Sequence, residues 1–408
     1  MLEPRGRGLT VELADGTVLL DAVSGTFNLP LGYSHPDVVM AVQRQMGEAA
    51  HLSSEFTKER ARDVLIPLLE HAPEGISSAW VRDLTGSTAN ECAIRIAQKF
   101  TGKSEVASLF LSHHGQTLAT TGVSGNAFRR SFFPASHTAG MKFPAPYCHR
   151  CFYGQSPKNC GLLCAERLDD FITFASTGSV AAVIVEPVLG NGGNIVPPPG
   201  YFERLREICG DHGILIIADE VQTGLGRLGD VFGSPVVGLR PDIITLAKGL
   251  GGTGVPMGAV LMREELDVLE PYDHSFTSGA SPLGLAAAEA TIGVVTEEEF
   301  LVDVRRKGEL LGGQLRELAA GCEIVSDVRG LGMMWGLEIS DRQGNPDVEA
   351  TRAVISTARE EESLILRPSR YGFGNTVKVR PALIASENEI GEIVDRLGSA
   401  LRKVGAAR

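Results

Sequence analysis

Three short apolar runs, Val180 to Val185, Ile214 to Ala218 and Ile243 to Ala247, constrain this chain more than any other feature of it. Each is continuous rather than alternating and rich in β-branched residues. That is the pattern of strands covered on both faces, as in a parallel sheet. Between them lie helical patterns: from Gly200 to His212, Phe202, Leu205, Ile208 and Cys209 mark one face. Strand alternating with helix predicts a doubly wound α/β core. The last third changes character. Amphipathic helices at Glu299 to Ala320 and Asp347 to Glu362 flank short strands at Met334 to Ile339 and Thr376 to Val379, and Glu387 to Lys403 reads as a closing helix. The expected fold is therefore α/β, with a large domain over 51–290 and a smaller α+β domain over 291–408, which residues 1–50 join. A chain of 408 residues can bury cores of that size.

The net charge of −12 argues against nucleic acid or an anionic membrane as the main partner. It would suit a cationic substrate, although its ordinary consequence is solubility. Met1-Leu2-Glu3-Pro4-Arg5 lacks the apolar stretch of a secretion signal. No apolar run approaches the roughly 20 residues a spanning helix needs. A cytoplasmic chain is expected. Of seven cysteines, Cys92, Cys209 and Cys322 lie in apolar stretches and read as small core residues. The others form Cys148-x2-Cys151-x8-Cys160-x3-Cys164. This spacing is compatible with tetrahedral zinc, but x8 is not a common gap and a cytosolic chain favours reduced thiols. No metal ligand is assigned.

Three segments carry chemistry. In Thr85-Gly86-Ser87-Thr88-Ala89-Asn90-Glu91 a small hydroxyl-rich loop enters a helix, Thr88 and Glu91 having capping-box spacing. A helix N-terminus with free N–H groups seats a phosphate well, although ordinary caps look the same. Asp219 ends the second apolar run, where open α/β sheets place their ligands. A buried carboxylate there needs a cationic partner, which a protonated pyridine nitrogen would supply. Lys248 ends the third run and is followed by glycines. Its amine can form a Schiff base with a carbonyl cofactor. Gly224-x-Gly226-x-x-Gly229 matches a dinucleotide pattern but does not stand directly at a strand end, and no helix follows it. Gly102-Lys103-Ser104 is no phosphate loop, because Ala97 stands at the required glycine.

With these segments in place the chain resembles the class III aminotransferases of the ornithine and 4-aminobutyrate type, which have the fold-type I architecture. The resemblance runs from Gly6-Arg-Gly-Leu-Thr-Val and Gly32-Tyr-Ser-His35-Pro36 to Val379-Arg380-Pro381-Ala382-Leu383. Its most specific part is Ala218-Asp219-Glu220-Val221-Gln222-Thr223-Gly224-x-Gly226-Arg227, with Lys248 29 residues (248 − 219) beyond the aspartate. The resemblance implies a pyridoxal 5′-phosphate enzyme in which Lys248 carries the cofactor and moves the substrate Cα proton. Asp219 would keep the ring nitrogen protonated, so that the ring serves as an electron sink. Val221 would pack on the ring, Gln222 reach its hydroxyl, and Thr85, Gly86 and Ser87 hold its phosphate. Glu186 would lie near the cofactor, although a loop glutamate is usually solvated. Thr277 would reach the phosphate of a neighbouring subunit, which implies a homodimer with a shared site.

Four departures from the family pattern bear on substrate. His113, in Ser112-His113-His114-Gly115, stands where an aromatic stacks on the cofactor. Asn191 replaces a gating glutamate. Lys378 replaces an arginine that grips the substrate carboxylate, keeping charge but losing the bidentate fork, and Arg380 lies two residues on, on the same strand face. At the mouth, Thr26 beside Phe27 stands where dialkylglycine decarboxylase has glutamine. The expectation is transamination between an amino donor and a carbonyl acceptor, with an amino sugar, aminocyclitol or other amine lacking a standard α-carboxylate as candidate substrate. Racemases or epimerases and phospho-lyases of the same family are the alternative. A non-catalytic binding protein is disfavoured by the intact Lys248, Asp219 and phosphate loop.

Overall fold

In a computed structural model, which describes residues 4–131, 140–370 and 372–407, the chain forms three sheets. At the N-terminus β1 (Arg5–Arg7), β2 (Thr10–Glu12) and β3 (Val18–Asp21) form a meander. The central sheet comprises β4 (Ile76–Asp83), β5 (Glu105–Leu109), β6 (Lys142–Phe143), β7 (Val180–Val185), β8 (Leu215–Asp219), β9 (Ile243–Leu246) and β10 (Gly258–Arg263). Its order is β4-β10-β9-β8-β7-β5-β6, and only β10 runs against its neighbours.

The continuous apolar runs are explained by burial on both faces. Along β7, Ala182 and Ile184 enter one core while Val183 and Val185 enter the other. Along β8, Leu215 and Ile217 divide in the same way from Ile216 and Ala218. Each such side chain contributes about 1.5–3 kcal/mol on burial. The helix Gly86–Thr101 covers one face with Ala89, Cys92, Ala93, Ile96 and Ala97. Thr85 is its N-cap and forms the capping box with Thr88, one turn earlier than the Thr88–Glu91 spacing suggested. Glu91 instead accepts hydrogen bonds from Thr117 and Ala119.

The third sheet is antiparallel: β11 (Val325–Leu331), β12 (Met334–Ile339) and β15 (Thr376–Val379), edged by the two-residue β14 (Arg367–Pro368). Helices Glu298–Ala320, Val348–Glu360 and Glu387–Ala406 close its core. The N-terminal meander joins this side, β3 pairing in parallel with β13 (Leu364–Ile365). Helix Pro36–Glu48, in contrast, packs on Pro282–Val295 beside the central sheet.

Two local expectations change. Cys322 is only partly buried, because it follows the end of the helix Glu298–Ala320 rather than lying within it. Past Gly229, Gly233–Val236 forms one helical turn, still without the long helix a dinucleotide fold requires. Among the described residues no helix is long and apolar enough to cross a membrane.

Candidate active site

Asp219 ends β8 and Lys248 follows the end of β9, and these strands are parallel neighbours. Their side chains line one cavity of about 420 Å³, together with the expected Thr85, Gly86, Ser87, His113, Val221 and Gln222, and with Thr26, Phe27, Asn191 and Lys378.

Lys248 opens a single 3-10 turn with φ of +42°, a conformation that non-glycine residues seldom hold. Gly249 follows with Pro30 and Leu225 within contact of any Cβ placed there, so the turn has little room for a larger residue. Burial pushes the Lys248 amine below the usual lysine range; Asp219 and Glu186 pull it back up and Arg380 pushes it further down. A larger share of such an amine is neutral and able to act as nucleophile or base.

Asp219 is held by three donors. Asn90 Nδ2 and His114 Nδ1 each lie 2.8 Å from its Oδ2, and the Val221 amide donates to Oδ1 at 3.1 Å. Asn90 is itself fixed, since its Nδ2 also reaches the His114 carbonyl and its Oδ1 accepts from Thr245 on β9 at 2.7 Å. A carboxylate offers about four lone-pair positions, so one on Oδ1 stays available to a cationic N–H. The loop beyond it is organised by buried Glu220, which accepts from Thr223, from the Gly233 amide and from the Ser234 amide and hydroxyl. This array turns Val221 and Gln222 toward the cavity. Val221 lies so close to the Gly86 backbone that a Cβ there would stand 2.8 Å from Cγ1.

Glu186 lies outside the cavity wall and is buried rather than solvated. Its oxygens accept from the His113 and Gly190 amides, both at 2.9 Å, so it positions the His113 backbone. Burial, with Asp219 nearby, raises its carboxyl pKa, against the pull of His114 and the two amides. Arg380 also lies behind the wall. Its two terminal nitrogens donate to Gln222, Asn194 and the Gly190 carbonyl and the guanidinium sits 4.2 Å over the Phe27 ring, so these nitrogens are engaged by the protein while Nε has no partner. With its oxygen taken by Arg380, Gln222 is left with its amide N–H donors. Thr277 is exposed and does not line this cavity. The segment that carries it is pinned to the end of β4 by His274, 2.8 Å from Asp83.

Pyridoxal 5′-phosphate fits these residues. The first-turn amides of Gly86–Thr101 have no partner within the helix and suit a phosphate. Asp219 offers an acceptor for a ring N–H, Gln222 a donor for a phenolic oxygen, and Lys248 an amine for an aldehyde. Among the lining residues that the sequence reading did not single out are Asn90, His114, Arg367 and Arg370. Asn90 had a signal, a polar residue among the apolar positions of its helix. Arg367 and Arg370 had none, because their place depends on how β14 pairs. The four clustered cysteines surround a separate small void and are all free thiols. Among the described residues, the one group of three side chains close enough to share an ion is Asp83, Cys92 and His274.

Known proteins agree with this geometry. The family model described as Aminotransferase class-III matches residues 2–401. The chain is 35% identical to an acetylornithine aminotransferase of Methanothermobacter thermautotrophicus, over 97% of this chain and 92% of that one. It is 32% identical to an alanine/serine racemase of Pyrococcus horikoshii, over 98% and 86%. Among solved structures, a PLP-bound amine transaminase from an uncultivated Pseudomonas species superposes with a TM-score of 0.90 at 29% identity, over 98% and 94%. The match spans nearly the whole chain and joins one fold to one cofactor, and on it the chain belongs to the class III pyridoxal-phosphate-dependent aminotransferases.

Proposed function

We propose that Lys248 and Asp219 are the catalytic pair of this aminotransferase, which moves an amino group from an amine donor to a carbonyl acceptor. The observation that carries the assignment is that both side chains enter one cavity from adjacent strand ends. When bound, pyridoxal phosphate supplies an electron sink for charge released at the substrate Cα. Lys248 Nζ takes and returns the Cα proton. Asp219, steadied by Asn90 and His114, holds a proton on the ring nitrogen. Val221 and His113 would hold the ring between them, Gln222 would donate to its hydroxyl, and Thr85, Gly86 and Ser87 would seat the phosphate. Glu186 fixes His113 from behind. Thr277 completes the phosphate seat of a second copy in a cytoplasmic homodimer. The division at residues 50 and 290 belongs to the same proposal.

The substrate class rests on Lys378 and Asn191, where the forked arginine and the gating glutamate are replaced. An amine without a standard α-carboxylate, such as an amino sugar or aminocyclitol, tolerates both changes. The test is an amine panel on the cofactor-loaded protein, following bleaching of the visible absorption. Amino sugars should bleach it and a keto acid should restore it. Efficient turnover of ordinary α- or ω-amino acids, with none of amino sugars, removes this substrate class. Lys248→Ala should abolish turnover; substantial turnover by that variant without added amine would contradict the role given to Lys248. The name of the Pyrococcus relative keeps epimerisation as a second reading, whose mark is Cα proton exchange with solvent without consumption of a keto acid.

A further inference from the structure

Apart from the cavity, three metal-ligating side chains meet where three elements come together. Asp83 ends β4, Cys92 lies on the helix Gly86–Thr101, and His274 belongs to the segment that leads to Thr277. All three are buried, the Asp83 and His274 side chains being 0% and 4% exposed. A carboxylate oxygen, a thiol sulfur and a ring nitrogen of the three lie within 4.8 Å of one another. Cys92 belongs to a core of apolar side chains that includes Ala89, Ala93, Ile96 and Val260. An acid and an imidazole buried against such a core need a reason, because apolar side chains would fill the space at no electrostatic cost.

The hydrogen bonds present do not exhaust the cluster. His274 Nε2 lies 2.8 Å from Asp83 Oδ1, but buried Asp83 Oδ2 has no hydrogen-bond partner. A buried carboxylate oxygen without a full donor is costly. The nearby Cys92 thiol is only a weak donor. Burial raises its pKa well above the usual range, with Asp83 adding to the rise and Arg95 opposing it.

Thiolate, imidazole and carboxylate are the three donor types that zinc accepts together. Zn–N and Zn–O bonds of about 2.0–2.2 Å and a Zn–S bond of about 2.3 Å set ligand atoms roughly 3–4 Å apart. Side-chain shifts of about 1 Å reach that spacing from the one observed. Charge balances as well: a thiolate and a carboxylate with a neutral imidazole cancel Zn²⁺, so the occupied cluster is neutral, as its burial favours. The sulfur disfavours calcium and magnesium, which take oxygen ligands.

We propose that Asp83, Cys92 and His274 form a zinc site. Asp83 binds through Oδ2, alone or with Oδ1. His274 binds through Nε2 as the neutral imidazole, its proton on Nδ1. Cys92 binds as the thiolate and releases its proton to solvent. The metal ties the strand that leads into Thr85 to the segment that leads to Thr277, so it braces the fold beside the cavity without entering it. The proposal does not rest on the aminotransferase reading, and zinc uptake is measured without turnover.

The test uses untagged, full-length protein loaded with pyridoxal phosphate, stripped of metal by dialysis against a chelator and titrated with Zn²⁺ against a chromophoric competitor. Wild type should bind an equivalent of zinc with a dissociation constant below about 1 μM. Cys92→Ala and His274→Gln should each weaken it by at least about 100-fold, since loss of a ligand outweighs the roughly 10–100-fold cost of losing an outer partner. Alanine is smaller than cysteine and favours a helix, and melting without metal verifies that the Cys92→Ala fold is intact. Zinc should raise the melting temperature of wild type but not of that variant. The double variant Cys148→Ser/Cys151→Ser should keep the equivalent, which separates the site from the clustered thiols. Absence of zinc binding by wild type overturns the proposal. So does binding that survives in folded Cys92→Ala, or binding that only the double variant abolishes.

Discussion

Asn90 donates one hydrogen bond to Asp219 and one to the backbone of His114, and accepts a third from Thr245. Asn90→Ala removes a charged hydrogen bond and leaves Asp219 less fixed. Such bonds contribute about 1.5–3 kcal/mol. The dissociation constant for pyridoxal phosphate, from absorbance titration, should rise by about 10-fold or more, and an unchanged constant would dismiss the role given to Asn90. Lys378 behaves in the opposite sense toward stability. The folded chain holds its proton less tightly than the unfolded chain does, so stability rises with pH toward the range of a free lysine, about 10. Lys378→Met should stabilise the fold by about 1–4 kcal/mol near neutral pH, an advantage that shrinks as the pH approaches 10. Urea unfolding of both proteins at the two pH values measures it.

At the scale of elements, the join between β8 and the Gly86 helix is close-packed. A Cβ on Gly86 meets Val221 at 2.8 Å, so Gly86→Ala must displace Val221 or the helix N-terminus. Overpacking of this kind costs about 1–3 kcal/mol. Melting temperature and cofactor affinity should fall together while far-ultraviolet dichroism stays unchanged. Elements of this size were legible in the sequence: β7 begins and ends where its apolar run does, and β12 and β15 coincide with the short strands read there. Asp219 and Lys248 were legible for the same reason, as charged residues that terminate such runs. What stayed hidden depends on distant pairing. β14, two residues long, has no periodicity to read, and Arg367 meets Lys378 only across the sheet. Glu186 read as a solvated loop residue because nothing local shows that the amides of His113 and Gly190 will enclose it.

For the whole molecule, the large and small cores and the mixed sheet follow from strand–helix alternation, whereas the surface that the proposed homodimer would bury left little trace. Tyr272, almost fully exposed, and Phe276 lie in the segment leading to Thr277. On the homodimer proposal, sedimentation should give twice the 43.4 kDa of the chain, and Thr277→Ala should weaken cofactor binding without altering that mass. A species of one chain that retains full cofactor affinity would remove the shared site. The chain also divides its labour in space. Lys248, the proposed reactive lysine, follows a strand of the central sheet, whereas Arg367 belongs to a two-residue strand at the rim of another. Taste and chemistry are thereby uncoupled: rewriting that short rim could hand the enzyme a new diet while the engine beneath it runs unaltered.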